Sequence, residues 1–105
     1  NPQRPILVAV ENNHVLGYMF GILKETEEDN ILVAEKSLYI DDICVDQNAR
    51  GKHVGQKLYQ ATKELAADTG CRRITLNVWA FNESAKSFYE KMGMQTFKTT
   101  LEDIL

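Results

Sequence analysis

In Leu38-Tyr39-Ile40-Asp41-Asp42-Ile43-Cys44-Val45 the apolar residues fall at 38 and 40, then at 43 and 45. Strand side chains alternate with a period of two, so this series slips by one residue across Asp41-Asp42. A β-bulge absorbs such a slip with one extra residue. A strand with both faces part-buried is the other reading. A turn-rich loop, Asp46-Gln47-Asn48-Ala49-Arg50-Gly51-Lys52, comes next. From near His53, the residues Val54, Leu58, Ala61, Thr62, Leu65 and Ala66 recur on one face of a helix. Asp68-Thr69-Gly70 ends that helix, with Gly70 suited to the C′ position. Arg73-Ile74-Thr75-Leu76-Asn77-Val78-Trp79 then alternates as a strand. Strand, helix and strand form a βαβ unit, whose two strands run parallel.

Outward from this unit, Ile6-Leu7-Val8-Ala9-Val10 and Val15–Leu23 flank the turn cluster Asn12-Asn13-His14 and predict an antiparallel hairpin. Glu25-Thr26-Glu27-Glu28-Asp29-Asn30 reads as a solvated loop tip. Ile31 to Val45 predicts one or two strands. Downstream, Asn82 is a good N-cap for a helix with Ala85, Phe88, Tyr89 and Met92 on one face. Gly93 stops it, and Met94 to Thr99 is a candidate last strand.

The 105 residues suit one domain, 1–105. With 44% hydrophobic and 26% charged residues, the balance is that of a globular chain rather than a disordered one. A net charge of −3 excludes a strongly basic protein that holds nucleic acid by counterion release. No apolar run approaches the ~20 residues that span a bilayer. Cys44 and Cys71 have no Cys or His at metal-ligand spacing, so two buried, reduced thiols in a cytoplasmic protein are expected, and no metal. The opening Asn-Pro-Gln-Arg-Pro lacks both an initiator Met and a signal core, and reads as that of a fragment or a processed product.

The loop Arg50-Gly51-Lys52-His53-Val54-Gly55 lies between a strand and a helix start. A helix N-terminus exposes unpaired N–H groups and about half a positive charge. Arg50 and Lys52 add whole charges, and Gly51 lets a ligand come close to the backbone. The site suits a phosphate or pyrophosphate, although a plain tight turn has the same composition. Gly51 and Gly55 are too close for a Walker loop, and Gln56 stands where that loop carries Lys or Ser/Thr.

Leu38 to Gly93 resembles the GCN5-related N-acetyltransferases. Tyr39-Ile40-Asp41-Asp42-Ile43-Cys44-Val45 is similar to the family's bulged fourth strand. Residues 50–55 are similar to its pyrophosphate loop, Gln/Arg-x-x-Gly-x-Gly/Ala, with His53 in the place of the central Gly. Asn82-Glu83-Ser84-Ala85-Lys86-Ser87-Phe88-Tyr89-Glu90-Lys91-Met92-Gly93 is similar to its Asn-x-x-Ala-x-x-Phe-Tyr-x-Lys-x-Gly helix. The Ile6–Leu23 hairpin fits the second and third strands, so the chain begins without the family's first strand and the helical segment after it.

The resemblance implies an α/β (α+β) fold: a mixed, mostly antiparallel twisted sheet with a central parallel pair splayed at the bulge. It also implies acetyl-CoA as cosubstrate. Backbone pairing at Ile43, Cys44 and Val45 would hold the pantetheine arm. The amides of Arg50, Gly51, Lys52, His53, Val54 and Gly55 would hold the pyrophosphate, provided His53 needs no positive φ. Asn82 would either contact the arm or simply cap its helix. Diamine acetyltransferases carry a similar Tyr-x-Glu-Asp segment, in which Asp41 matches the Glu. Asp41 is thus a candidate general base or a bulge-stabilising carboxylate. Tyr89 matches the family's general-acid tyrosine, though it also sits on the helix's apolar face.

The expected reaction is direct transfer of acetyl to a primary amine of a small molecule or peptide. Asp41, Asp42, Glu27 and Glu28 lean towards a cationic acceptor such as a polyamine. A non-catalytic CoA-binding module is the alternative. Without a preceding strand, Ile6–Val10 would be a bare sheet edge, which predicts pairing with another chain, as in a homodimer, or with residues outside this sequence.

Overall fold

The computed structural model describes residues 3–26, 35–49, 51 and 53–105. Strands β1 (Ile6–Glu11), β2 (His14–Thr26) and β3 (Glu35–Val45) lead through a short 3-10 turn (Gln47–Ala49) to helix α1 (Val54–Asp68). Strand β4 (Arg73–Thr75) and helix α2 (Glu83–Lys91) follow. The described sheet has the order β1-β2-β3-β4, antiparallel except for the β3–β4 pair.

Asn12 and Asn13 close the first hairpin with φ of 51° and 66°. Two left-handed residues match the twist of the flanking strands, and asparagine tolerates that region well. The decisive irregularity lies in β3. Phe20 pairs with Asp42 and Gly21 with Ile40, so Asp41 is the extra, unopposed residue. Ile40 is buried and Ile43 packs into the core, whereas Asp41 and Asp42 are both exposed. The slip expected at this dipeptide is therefore a bulge, and it turns two adjacent carboxylates to one side of the sheet.

Helix α1 covers the opposite side. Val54, Leu58, Tyr59, Thr62 and Ala66 are its buried residues. Met19, Ile40 and Tyr59 form one core cluster, and Ala49, Val54 and Leu58 form a second. The buried Thr62 hydroxyl donates to the Leu58 carbonyl at 2.7 Å, so it costs no unpaired polar group. Gly17 permits the close approach of helix to sheet. A Cβ there would lie 2.7 Å from the Cys44 carbonyl oxygen and 3.0 Å from a Leu58 methyl.

Three expectations need correction. The strand foreseen over Arg73–Trp79 pairs only from Arg73 to Thr75, opposite Ser37 to Tyr39. Beyond Tyr39 the bulge carries β3 away, and residues 76–79 find no ladder. Met94–Thr99 is not a strand, because no described strand runs beside it. Cys44 is exposed and Cys71 half-buried; both thiols are free, as expected, but neither is buried. Cys44 shares the uncovered sheet face with Tyr18, its cross-strand partner. Residues 31–34 of the anticipated strand, and residues 27–30 of the acidic cluster with Glu27 and Glu28, lie outside the described residues.

The contact at Gly17 generates a test. Gly17→Ala forces a methyl against a backbone carbonyl, and overpacking of this kind costs about 2 kcal/mol. The expected outcome is a melting temperature lower by roughly 10 °C, read by circular dichroism.

Candidate active site

The bulge and the short β3–β4 ladder together produce an opening. Parallel pairing stops at Tyr39↔Thr75, while β3 continues to Val45. From Ile40 to Val45 one edge of β3 pairs with β2, and the other has no strand partner among the described residues. Alternate backbone N–H and C=O groups along that edge are available to an extended ligand. At the mouth of the opening, Asn77 Nδ2 donates to the Tyr39 hydroxyl at 3.2 Å and ties the diverging segment back to β3. The Lys24 ammonium lies over the Tyr39 ring, 4.6 Å from its centre.

The end of β3 packs against the start of α1, with Val45 beside Val54 and Leu58. Gly51 has φ +90°, with open space where a Cβ would stand. His53 is the N-cap, left-handed at φ 59° and ψ 29°, and its side chain caps nothing. The proviso attached to His53 therefore fails: the position does need positive φ. Histidine adopts the glycine-like conformation at a strain of about 1 kcal/mol, and the backbone still turns as the glycine would turn it. The first amides of α1 receive no side-chain cap from His53. Arg50 and Lys52 lie outside the described residues. Gly55 allows the two helices to meet, since a Cβ there would lie 3.2 Å from Phe88 Cζ.

Helix α2 supplies the third wall. Asn82 caps it, accepting from the Ala85 N–H through Oδ1 at 3.2 Å. The capping role is thus observed, and the side-chain amide nitrogen is the group left to reach a ligand. Tyr89 is half-buried, edge-on to Tyr59 at 6.3 Å and to Phe88 at 5.2 Å. Burial pushes its phenol above the ordinary value near 10, and the charges of Tyr59 and Asp42 add to the rise. Tyr89 therefore keeps its proton through neutral pH, and it lies within electrostatic reach of Asp42.

On the uncovered face, Asp41 lines a groove of about 200 Å³ with Arg4, Pro5, Ile6, Phe20 and Ile22. Asp42, beside it, accepts a hydrogen bond from the Tyr18 hydroxyl at 2.9 Å. This bond, with burial and the charges of Asp42 and Cys44, pushes the Tyr18 phenol up to about 12. Tyr18 was not anticipated. It is one residue in an ordinary strand alternation, and only the register of β2 on β3 sets it diagonal to Asp42. Tyr59 went unnoticed for a similar reason, as a phenol among the aliphatic residues of α1.

The structure thus sets Ile43 and Val45 against the start of α1, places Tyr89 within electrostatic reach of Asp42, and opens Asp41 onto a groove on the uncovered face. Sequence comparison agrees with that geometry: the model of the Acetyltransferase (GNAT) family matches residues 1–94. The chain belongs to this family. A putative [ribosomal protein bS18]-alanine N-acetyltransferase of Bacillus subtilis is 28% identical over 95 residues, covering 90% of this chain and 56% of the relative. The spermine/spermidine N(1)-acetyltransferase of the same organism is 29% identical over 93 residues, covering 88% and 59%. A mutant of the BH1408 protein from Bacillus halodurans superposes with a TM-score of 0.90 at 31% identity, covering 98% of this chain and 66% of the other. The chain therefore spans less than two thirds of the length of these GNAT relatives.

His53 gives a test of the loop. His53→Gly relieves the left-handed strain and should leave coenzyme A affinity equal or better. His53→Val puts a β-branched residue in a region it avoids, and should weaken binding about tenfold or more. Calorimetric titration with coenzyme A checks both.

Proposed function

We propose that the chain provides the donor site and the acid–base groups of an N-acetyltransferase that moves acetyl from acetyl-CoA to a primary amine. The observation that carries this reading is the opening beyond the bulge, where an edge of β3 with no strand partner among the described residues leads to a helix start that His53 does not cap with its side chain. Its shape suits a long extended arm ending in a pyrophosphate. Ile43, Cys44 and Val45 would pair with the arm through their backbones. The amides of residues 50–55 would hold the pyrophosphate, with Arg50 and Lys52 adding charge. The bound cosubstrate supplies an acetyl thioester.

An alkyl amine has a pKa near ~10.4 and must lose a proton before its lone pair can attack. Asp41, which opens onto the groove, would take that proton directly or through a water. As the new C–N bond forms and the C–S bond breaks, Tyr89 would hand its proton to the departing sulfur. Its raised pKa guarantees that the proton is present at neutral pH. Two carboxylates at the bulge favour an acceptor that arrives as a cation. The two curated relatives named above are both named as nitrogen acetyltransferases, one for an alanine of a protein and one for polyamines. Either acceptor class is consistent with an exposed groove that Asp41 and Arg4 line and Asp42 adjoins.

A homodimer is part of the same proposal. Strand β1 is an edge of the described sheet, and Ile6, Val8 and Val10 are each at least half exposed along it. An apolar edge of this kind is normally paired or covered.

The experiment measures acetyl-CoA binding by calorimetry and thiol release with a panel of amines. Binding together with amine-dependent thiol release is expected. Binding without release leaves a CoA-binding module, and no binding removes the proposal. Tyr89→Phe should lower kcat about 10- to 100-fold, with acetyl-CoA affinity unchanged. Full turnover in that variant takes the acid role from Tyr89.

A further inference from the structure

Asp41 and Asp42 are chemically alike and adjacent, yet the fold treats them differently. Asp41 is the unopposed residue of the bulge and lines the groove. Asp42 is opposite Phe20 and is held at 2.9 Å by the Tyr18 hydroxyl. The Tyr18 ring is itself held, at 4.7 Å from the Phe20 ring and inclined by 30°. Phe20 in turn forms part of the groove wall. A connected set therefore runs from the groove through Phe20 and Tyr18 to Asp42.

Resting on the acetyltransferase reading, we propose that Tyr18 is a positioning residue that pins Asp42 as a fixed anion beside the acceptor groove, so that the site favours a dicationic amine. An exposed aspartate usually samples several rotamers, and a ligand must pay to order it. A phenol donating to one carboxylate oxygen orders it in advance and leaves the other oxygen as an acceptor. Asp41, not held in this way, stays the carboxylate that exchanges a proton. The division of labour comes from the bulge, which leaves Asp41 unopposed, and from β2, whose Tyr18 holds Asp42. The elevated phenol pKa agrees with it, because a proton shared with a carboxylate is harder to remove.

Tyr18→Phe keeps the ring and its packing on Phe20 and removes only the hydroxyl. The experiment compares the unaltered chain, Tyr18→Phe, Asp42→Asn and the double variant, using a four-carbon diamine and a monoamine of equal length. For Tyr18→Phe the expected result is an increase in diamine KM of about tenfold, as for a lost hydrogen bond to a charged group. The monoamine KM should change by less than about threefold, and kcat, acetyl-CoA KM and the melting temperature should stay close to the parent values. In the Asp42→Asn background the hydroxyl should have no further effect. Equal losses for both amines, or an undiminished effect in that background, would overturn the proposal.

Calorimetric binding of the diamine without acetyl-CoA separates this idea from the reaction itself. If the parent chain turns over neither amine, the acetyl-transfer reading fails for these acceptors. The role of Tyr18 then stands if Tyr18→Phe weakens diamine binding, and falls if binding is unchanged or undetectable in the parent.

Discussion

One residue too many in β3 governs the site. Without Asp41 as an extra residue, Ile40 and Ile43 could not both face the core. The hydrophobic demand at positions 38, 40, 43 and 45 drives this arrangement. Burial of aliphatic side chains is the strongest favourable term available to a chain of this size. The sheet accepts a local defect to satisfy it. The defect then opens one edge of backbone, and it brings two carboxylates out on the same side.

Around that opening the other elements have separable tasks. Helix α1 closes the core with Val54, Leu58, Tyr59, Thr62 and Ala66, and its first turn faces the end of β3. Helix α2 adds Tyr89, whose phenol is kept neutral by burial. Strand β2 contributes a glycine that admits α1 and a tyrosine that fastens Asp42. Tyr89 thereby comes within electrostatic reach of Asp42, and Tyr18 within hydrogen-bond reach of the same carboxylate, although the three are far apart in sequence.

Much of this was legible in the chain. The slip across Asp41-Asp42 betrayed the bulge because a period of two tolerates no silent insertion. Gly51, His53 and the apolar spacing after them marked the helix start, and Asn82 marked the next one. What stayed hidden depends on register or on partners. Tyr18 acquires meaning only once it is placed diagonally from Asp42. Residues 76–79 and 94–99 have strand-like alternation but no described neighbour to pair with, since a strand needs a ladder as well as a pattern. His53 stands where the resembling loops carry glycine, but only the backbone shows that it takes the glycine-like left-handed conformation.

The measurement that bears most directly on this account is amide chemical-shift mapping while coenzyme A is added. The account predicts the largest, saturable shifts at Ile43–Val45 and through the first turn of α1, with the β1–β2 turn at Asn12-Asn13 undisturbed. Shifts that gather elsewhere, or none at saturating coenzyme A, would contradict it.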